Sequence, residues 1–234
     1  MKIEIWSDVM CPFCYIGKRR FENALQQFEN KDKVEVVWKS FQLDPDLQTT
    51  GKHINEYLAE RKGWTVGYAN QMNSHVTQMA ADEGLSYDFD KAVVANTFDA
   101  HRFAHYAASK QKGDIAEESL FNAYFTQGKN IADHATLAEL GKSIGLDAKE
   151  TKDILAGNAF TEEVHYDIKE AVEIGVRGVP FFVIDRKYAI SGAQPEEVFT
   201  QTFRKAFAEW KEIKANDKLP VADGTVCDVD GNCE

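Results

Sequence analysis

The chain has 234 residues, room for one large domain or two small ones, and its 44% hydrophobic content is that of a soluble globular protein. A formal net charge of −11 argues against a nucleic-acid or anionic-membrane partner. No apolar run approaches the length of a membrane span, and Met1-Lys2-Ile3-Glu4 runs into the first predicted element without the pattern of a secretory leader, so a cytoplasmic protein with no membrane partner is expected.

Four cysteines in a reducing compartment are not expected to be structural staples, and they come as two pairs, Cys11/Cys14 and Cys227/Cys233. Ile3-Glu4-Ile5-Trp6 alternates like a half-buried strand, and Phe21, Ala24, Leu25 and Phe28 then repeat at helical offsets. Between them lies Ser7-Asp8-Val9-Met10-Cys11-Pro12-Phe13-Cys14, so two cysteines stand where a strand ends and a helix begins. The first helical turn has unpaired N–H groups and the positive end of the macrodipole, which stabilise a thiolate, the reactive form of cysteine. Pro12 suits that turn because its missing N–H is not needed there. The stretch therefore reads as a dithiol/disulfide centre, Cys11 exposed and nucleophilic, Cys14 one turn in and resolving. Half of a zinc site, or a chance pair, are the other readings of a lone C-x-x-C.

Val34 to Phe41 forms a second strand, completing a β-α-β unit with a right-handed crossover if the strands are parallel, and Asp44-Pro45 turns the chain out of the sheet. From about His53 to Gly175 the pattern is helical throughout. Helices are predicted over Ile54–Lys62, Tyr68–Glu83, Asp90–Lys112 (the longest), a segment carrying Leu120, Phe121, Tyr124 and Phe125, Leu137–Ile144, and Phe160–Ile174. Asp114 with Glu117, and Asp147 with Glu150, have the spacing of capping pairs. A hairpin follows over 178–192, although its turn, Asp185-Arg186, lacks the glycine a type I′ turn prefers. Pro195 opens a last helix with Val198, Phe199, Phe203, Phe207 and Trp210 as its buried stripe. From about Asn216 the chain is polar and turn-rich, and is expected to be a mobile tail carrying Cys227 and Cys233.

Several stretches together resemble the DsbA-like branch of the thioredoxin superfamily, and within it the cytoplasmic FrnE-like oxidoreductases. They are the Ser7 to Gly17 segment, Phe41-Gln42-Leu43-Asp44-Pro45, Asn96-Thr97 with Ala100-His101-Arg102, Gly178-Val179-Pro180-Phe181-Phe182-Val183 and Ile190 to Gln194. The resemblance implies an α/β, thioredoxin-like fold with a large all-helical insertion between the second and third strands. The thioredoxin-like part is expected at 1–45 and 176–215, the cap at 46–175 and the tail at 216–234. It also implies a thiol–disulfide oxidoreductase or isomerase that needs no cofactor and acts on protein or low-molecular-weight thiols and disulfides.

Carried over by position, Cys11 attacks, Cys14 resolves, and Pro180 matches the cis-proline of the family, with Val179 before it. A cis X-Pro bond there would expose backbone groups of Val179 to an extended substrate peptide, and Pro12 and Phe13 would flank it. Two departures are notable. Phe13 stands where strongly oxidising relatives have histidine, which predicts a less depressed thiol pKa and a less oxidising couple. Ile5 stands where thioredoxin-like proteins often keep a buried acid, so the acceptor of the Cys14 proton is open, with Glu4 and Asp8 as neighbours.

Lys18, Arg19 and Arg20 read as a solvated helix face. Cys227 and Cys233 enclose a loop in which a small disulfide is feasible, either exchanging with Cys11–Cys14 or incidental; calcium-loop spacing is absent there. His101 and His105 stand four apart, a metal-compatible spacing, but no third ligand is evident, so packing or hydrogen bonding is expected and no metal site is assigned. Asn96, Thr97 and His101 are candidates to line the groove facing Cys11. Two rivals remain. One is a glutathione-dependent kappa-type transferase or 2-hydroxychromene-2-carboxylate isomerase-like enzyme, which would have serine at Cys11 and lack Cys14. The other is a non-enzymatic redox sensor or chaperone.

Overall fold

The computed structural model of the chain describes residues 1–216. Cys227 and Cys233 therefore lie outside the described residues. The sheet has four strands in the order β2-β1-β3-β4. β1 (Lys2–Ser7) and β2 (Glu35–Ser40) pair in parallel from Lys2↔Glu35 to Ser7↔Ser40. β3 (Phe181–Ile184) and β4 (Tyr188–Ser191) add antiparallel. α1 (Pro12–Gln26) makes the crossover between β1 and β2. α2 (Ile54–Lys62), α3 (Val66–Asp82), α4 (Phe98–Ser109), α5 (Gly113–Phe125), α6 (His134–Ser143), α7 (Ala148–Ala156) and α8 (Thr161–Glu173) all fall between β2 and β3. α9 (Glu196–Asn216) closes the described chain and, rather than the predicted 90–112 segment, is its longest helix. This is the thioredoxin-like fold with a helical insertion between the second and third strands.

β1 is not the half-buried strand its alternation implies. It lies between β2 and β3, and helices cover both faces. Ile3 and Ile5 pack with Phe21, Phe182, Phe199 and Phe203 in one cluster, while Trp6 packs with Ala171, Val176 and Val183 in another. The polar residue of the alternation, Glu4, is buried and takes Arg186 and Lys2 as counter-charges. Arg186 can reach it because Asp185 and Arg186 both adopt positive φ, 51° and 55°, the type I′ geometry, in which the second position favours glycine over arginine.

The segment read as one helix over 90–112 is helical only from Phe98. Val93 pairs in a short bridge with His53, and the Asn96 side chain accepts the Phe98 N–H at 2.9 Å while donating to the Leu47 carbonyl at 2.9 Å. Asn96 thus starts the helix and ties it to the chain leaving β2. The two capping pairs also diverge. Asp147 caps α7 by accepting the Glu150 N–H at 2.7 Å. α5 instead begins one residue before Asp114, which accepts the Trp38 indole N–H at 3.1 Å, and Glu117 is buried. In α9, Phe199, Phe203 and Phe207 are buried but Val198 faces solvent. Among the described residues no helix is long and apolar enough to cross a membrane.

The largest apolar cluster is continuous across the seam between sheet and insertion. It joins Cys11, Cys14, Tyr15 and Ile16 to Phe103, Tyr106, Leu120, Phe121, Tyr124 and Phe125. The cap therefore shares its core with the start of α1, and the two thiols lie at that junction.

Candidate active site

β1 ends at Ser7, the chain turns through Asp8-Val9-Met10, and Cys11 takes the cap position of α1 with extended φ and ψ of −86° and 112°. Its N–H donates to the Asp8 carbonyl at 2.9 Å, and the Cys14 N–H donates to the Cys11 carbonyl at 3.0 Å. Pro12 fills the first helical position, and the first turn carries no acidic side chain to offset the positive helix end. Neither thiol is bridged.

The Cys11 sulfur donates to the Val179 carbonyl at 3.4 Å, and the Val179–Pro180 bond is cis. Gly17, one turn further along α1, lets the helix come this close: a Cβ there would stand 2.8 Å from Cγ of Pro180. Cys11, Cys14, Val179 and Pro180 are thus gathered at one place, from chain segments more than 160 residues apart in sequence.

The expected exposure of Cys11 is corrected. The residue is only 4% exposed, against 1% for Cys14, and Phe13 is the part of the motif that reaches solvent, at 39%. The cap accounts for this. Tyr87, from the stretch before α4, donates its hydroxyl to the Pro12 carbonyl at 2.7 Å, and Tyr15 stacks on Phe121 at 5.0 Å. Burial, and then the hydrogen bond with Cys11, push the Cys14 thiol well up, only partly offset by the Asp8 N–H and the Ser7 hydroxyl beside its sulfur. Cys14 is therefore held as a thiol.

The three basic residues after the motif do not form a solvated face. Lys18 is 2% exposed and paired with Glu22 and, at 2.9 Å, with Glu118. Arg19 meets the same Glu118 at 2.7 Å, and Arg20 meets Glu83 at 2.6 Å. These pairs pin α1 to α5 and to the end of α3, leaving little net positive charge for the thiols.

Behind the thiols Asp8 is fully buried, with its carboxylate accepting the Leu43 N–H at 2.7 Å and standing 3.5 Å from Nε2 of His101. Burial works against the His101 imidazolium, but Asp8, then Glu117 and the Phe41 carbonyl, outweigh it and raise its pKa. Burial also pushes the Glu117 carboxyl up to about 7 despite His101 and Lys18. His105 points elsewhere, to Asp167 at 3.0 Å and the Ser40 hydroxyl at 3.1 Å. Among the described residues no three His, Cys, Asp or Glu side chains are placed to hold a metal.

Of the candidate groove residues, His101 is brought behind the dithiol through Asp8. Asn96 turns to the Pro45 and Leu47 carbonyls, and buried Thr97 offers its carbonyl to the His101 N–H at 3.0 Å. Sequence reasoning passed over Tyr87, gave Gly17 no role of its own and read Glu117 as a capping partner of Asp114. Asp8 was named, with Glu4, by adjacency to the motif.

A dithiol at the mouth of a helix, facing a cis-proline loop on a β-α-β frame with a closing hairpin, defines a thioredoxin-fold dithiol protein. The chain belongs to the DSBA-like thioredoxin domain family, which it matches over residues 2–204. It is 38% identical to a probable DsbA oxidoreductase from Streptomyces coelicolor, with a TM-score of 0.86, covering 100% of this chain and 98% of that one. Its fold is also that of a 2-hydroxychromene-2-carboxylate isomerase (15% identity, TM-score 0.64, 92% and 98% covered). A third likeness is to the cytosolic disulfide reductase DsbM from Pseudomonas aeruginosa (16% identity, TM-score 0.61, 92% and 100% covered).

Proposed function

We propose that the chain is a thiol–disulfide oxidoreductase of FrnE-like type that exchanges disulfides with protein or small-molecule thiols through Cys11 and Cys14. The observation that carries this reading is the placement of the Cys11 sulfur at the cap of α1, 3.4 Å from the Val179 carbonyl, with Cys14 one turn deeper. The Cys11 thiolate attacks a substrate disulfide and expels one substrate sulfur. Cys14 then attacks Cys11 in the mixed disulfide, expels the second substrate sulfur and leaves Cys11–Cys14 oxidised. Run backwards, the same steps oxidise a substrate dithiol, and the partner and its compartment set the direction.

Pro12, Phe13, Val179 and Pro180 form the substrate contact in this proposal. An extended peptide bonds to the Val179 backbone, and Phe13 supplies the exposed apolar surface. With phenylalanine rather than a charged residue between the cysteines, the couple is less oxidising than one containing histidine there. Exchange between this dithiol and Cys227/Cys233 belongs to the same proposal and rests on their spacing in the sequence.

Reduction of insulin disulfides tests the reading, run beside glutathione conjugation and with Cys11→Ser, Cys14→Ser and the Cys227→Ser/Cys233→Ser double variant. Insulin reduction lost with either active-site variant supports it. Glutathione conjugation that survives Cys14→Ser would instead favour a transferase.

A further inference from the structure

Six buried side-chain oxygen or nitrogen atoms among the described residues have no hydrogen-bond partner, and four of them belong to the Asp8–His101 pair or its surroundings. They are the Ser7 hydroxyl, which favours the Cys14 thiolate, Nε2 of His101, Oε2 of Glu117, and the Tyr124 hydroxyl, which feels the Asp8 carboxylate. Buried polar atoms are nearly always paired, so such a concentration behind two thiols calls for an explanation in function.

The groups are ordered in space. Asp8 acts on both thiols through its own backbone: its N–H favours the Cys14 thiolate, and its carbonyl takes the Cys11 N–H at 2.9 Å. Its carboxylate stands 3.5 Å from Nε2 of His101 on α4, whose ring also meets the Phe41 carbonyl. His101 is coupled in turn to Glu117 on α5. Glu117 lines a cavity of about 440 Å3 between the outer edge of β2 and the α4–α5 turn, away from the Val179–Pro180 loop. The charged groups around this series are few. Tyr57 and Tyr124 face Asp8, and Lys18, Asp114 and His105 face Glu117.

We propose that Ser7, Asp8, His101 and Glu117 form a buried acceptor series that takes the Cys14 proton as Cys14 resolves the mixed disulfide, and delivers it to the cavity at the β2 edge. The inference rests on the dithiol-exchange reading and adds an acceptor where the usual acid position is occupied by Ile5. In the step, the Cys14 S–H bond breaks and its proton passes to the Asp8–His101 pair. The Cys14 sulfur bonds to Cys11, the bond from Cys11 to the substrate sulfur breaks, and the electron pair leaves on that sulfur, which takes a proton from solvent. The substrate disulfide is the only oxidant. His101 and Glu117 act through Asp8 and are positioning residues.

The step can be isolated with 5,5′-dithiobis(2-nitrobenzoate). The first coloured thiolate reports attack by Cys11, and the second reports resolution by Cys14. In the unaltered protein the second rate should bend near neutral pH, where Glu117 titrates. His101→Gln should slow the second release at pH 7 by about 10²-fold, the lower end of what acid–base catalysis contributes, because Asp8 loses the partner that holds it. Its rate should then rise tenfold per pH unit. Glu117→Gln should remove the bend, and both variants should keep the first rate. Identical second-phase profiles in all three proteins would overturn the inference, as would equal loss in both phases. Absence of a second phase in the unaltered protein would count against the exchange reading itself. Thermal melting of each variant separates these results from loss of fold.

Discussion

Glu117 shows how one side chain can read as a surface feature and prove to be a buried one. Its spacing from Asp114 has the form of a capping pair, yet its carboxyl is buried, with its pKa pushed from 4.5 to about 7. An acid raised in the folded state binds more protons there than in the unfolded chain between those two values. Stability contributed by the neutral form is therefore present below about pH 4.5, falls as pH rises, and is lost above about 7. Glu117→Gln should remove that slope and be more stable than the parent at pH 8, by about 3 kcal/mol at most, with the difference vanishing by pH 4.5. Urea unfolding at the two pH values measures it; equal slopes would show that the carboxyl titrates normally. The two cysteines of the candidate site were legible because their chemistry and spacing lie within four residues. Asp8 and His101 were named singly, as a neighbour of the motif and a groove candidate, but their link to each other and to Glu117 was not legible, since it exists only after three distant segments meet.

At the scale of elements, a close approach and a buried counter-charge override local preference. Alanine favours a helix over glycine by about 1 kcal/mol, so Gly17→Ala looks stabilising by propensity alone. The added Cβ would meet the Pro180 ring at 2.8 Å and Ala193 at 3.5 Å. The variant should melt lower and exchange more slowly, because the Pro180 loop must move away from α1; an unchanged melting point and rate would show that the loop yields freely. The hairpin turn makes the same point. Arg186→Gly satisfies the type I′ preference but removes the guanidinium that meets buried Glu4 and, at 2.9 Å, Glu170. A loss of roughly 2–3 kcal/mol is expected in urea unfolding, below the range for a fully buried pair because Lys2 still faces Glu4 at 3.1 Å. Arg102 is a further long-range tie. Its guanidinium donates to the Ile154 carbonyl at 2.7 Å and the Ala159 carbonyl at 2.9 Å, closing the end of α7. Arg102→Leu should cost about 3 kcal/mol or more by leaving these carbonyls unpaired, and hydrogen exchange over 154–160 should rise.

Across the whole molecule, the order of elements was readable because strands and helices differ in hydrophobic period. The insertion stood out as a long helical stretch between two strand patterns. How that insertion sits on the sheet was hidden. Its contacts with α1 run through Tyr15, Lys18, Arg19 and Glu118, residues that look like an ordinary exposed helix face when read locally. The insertion also packs Tyr87 on Pro12 and Phe121 on Tyr15, and Cys11 is 4% exposed, where the motif alone implies an open thiol.

The most direct measurement is the mass of the covalent adduct formed when Cys14→Ser is mixed with a peptide disulfide. One peptide attached through Cys11, stable until a thiol is added, is the expected result, with no adduct in Cys11→Ser. An adduct carried by Cys14 in the Cys11→Ser protein, or none in either variant, would contradict attack by the sulfur at the head of α1.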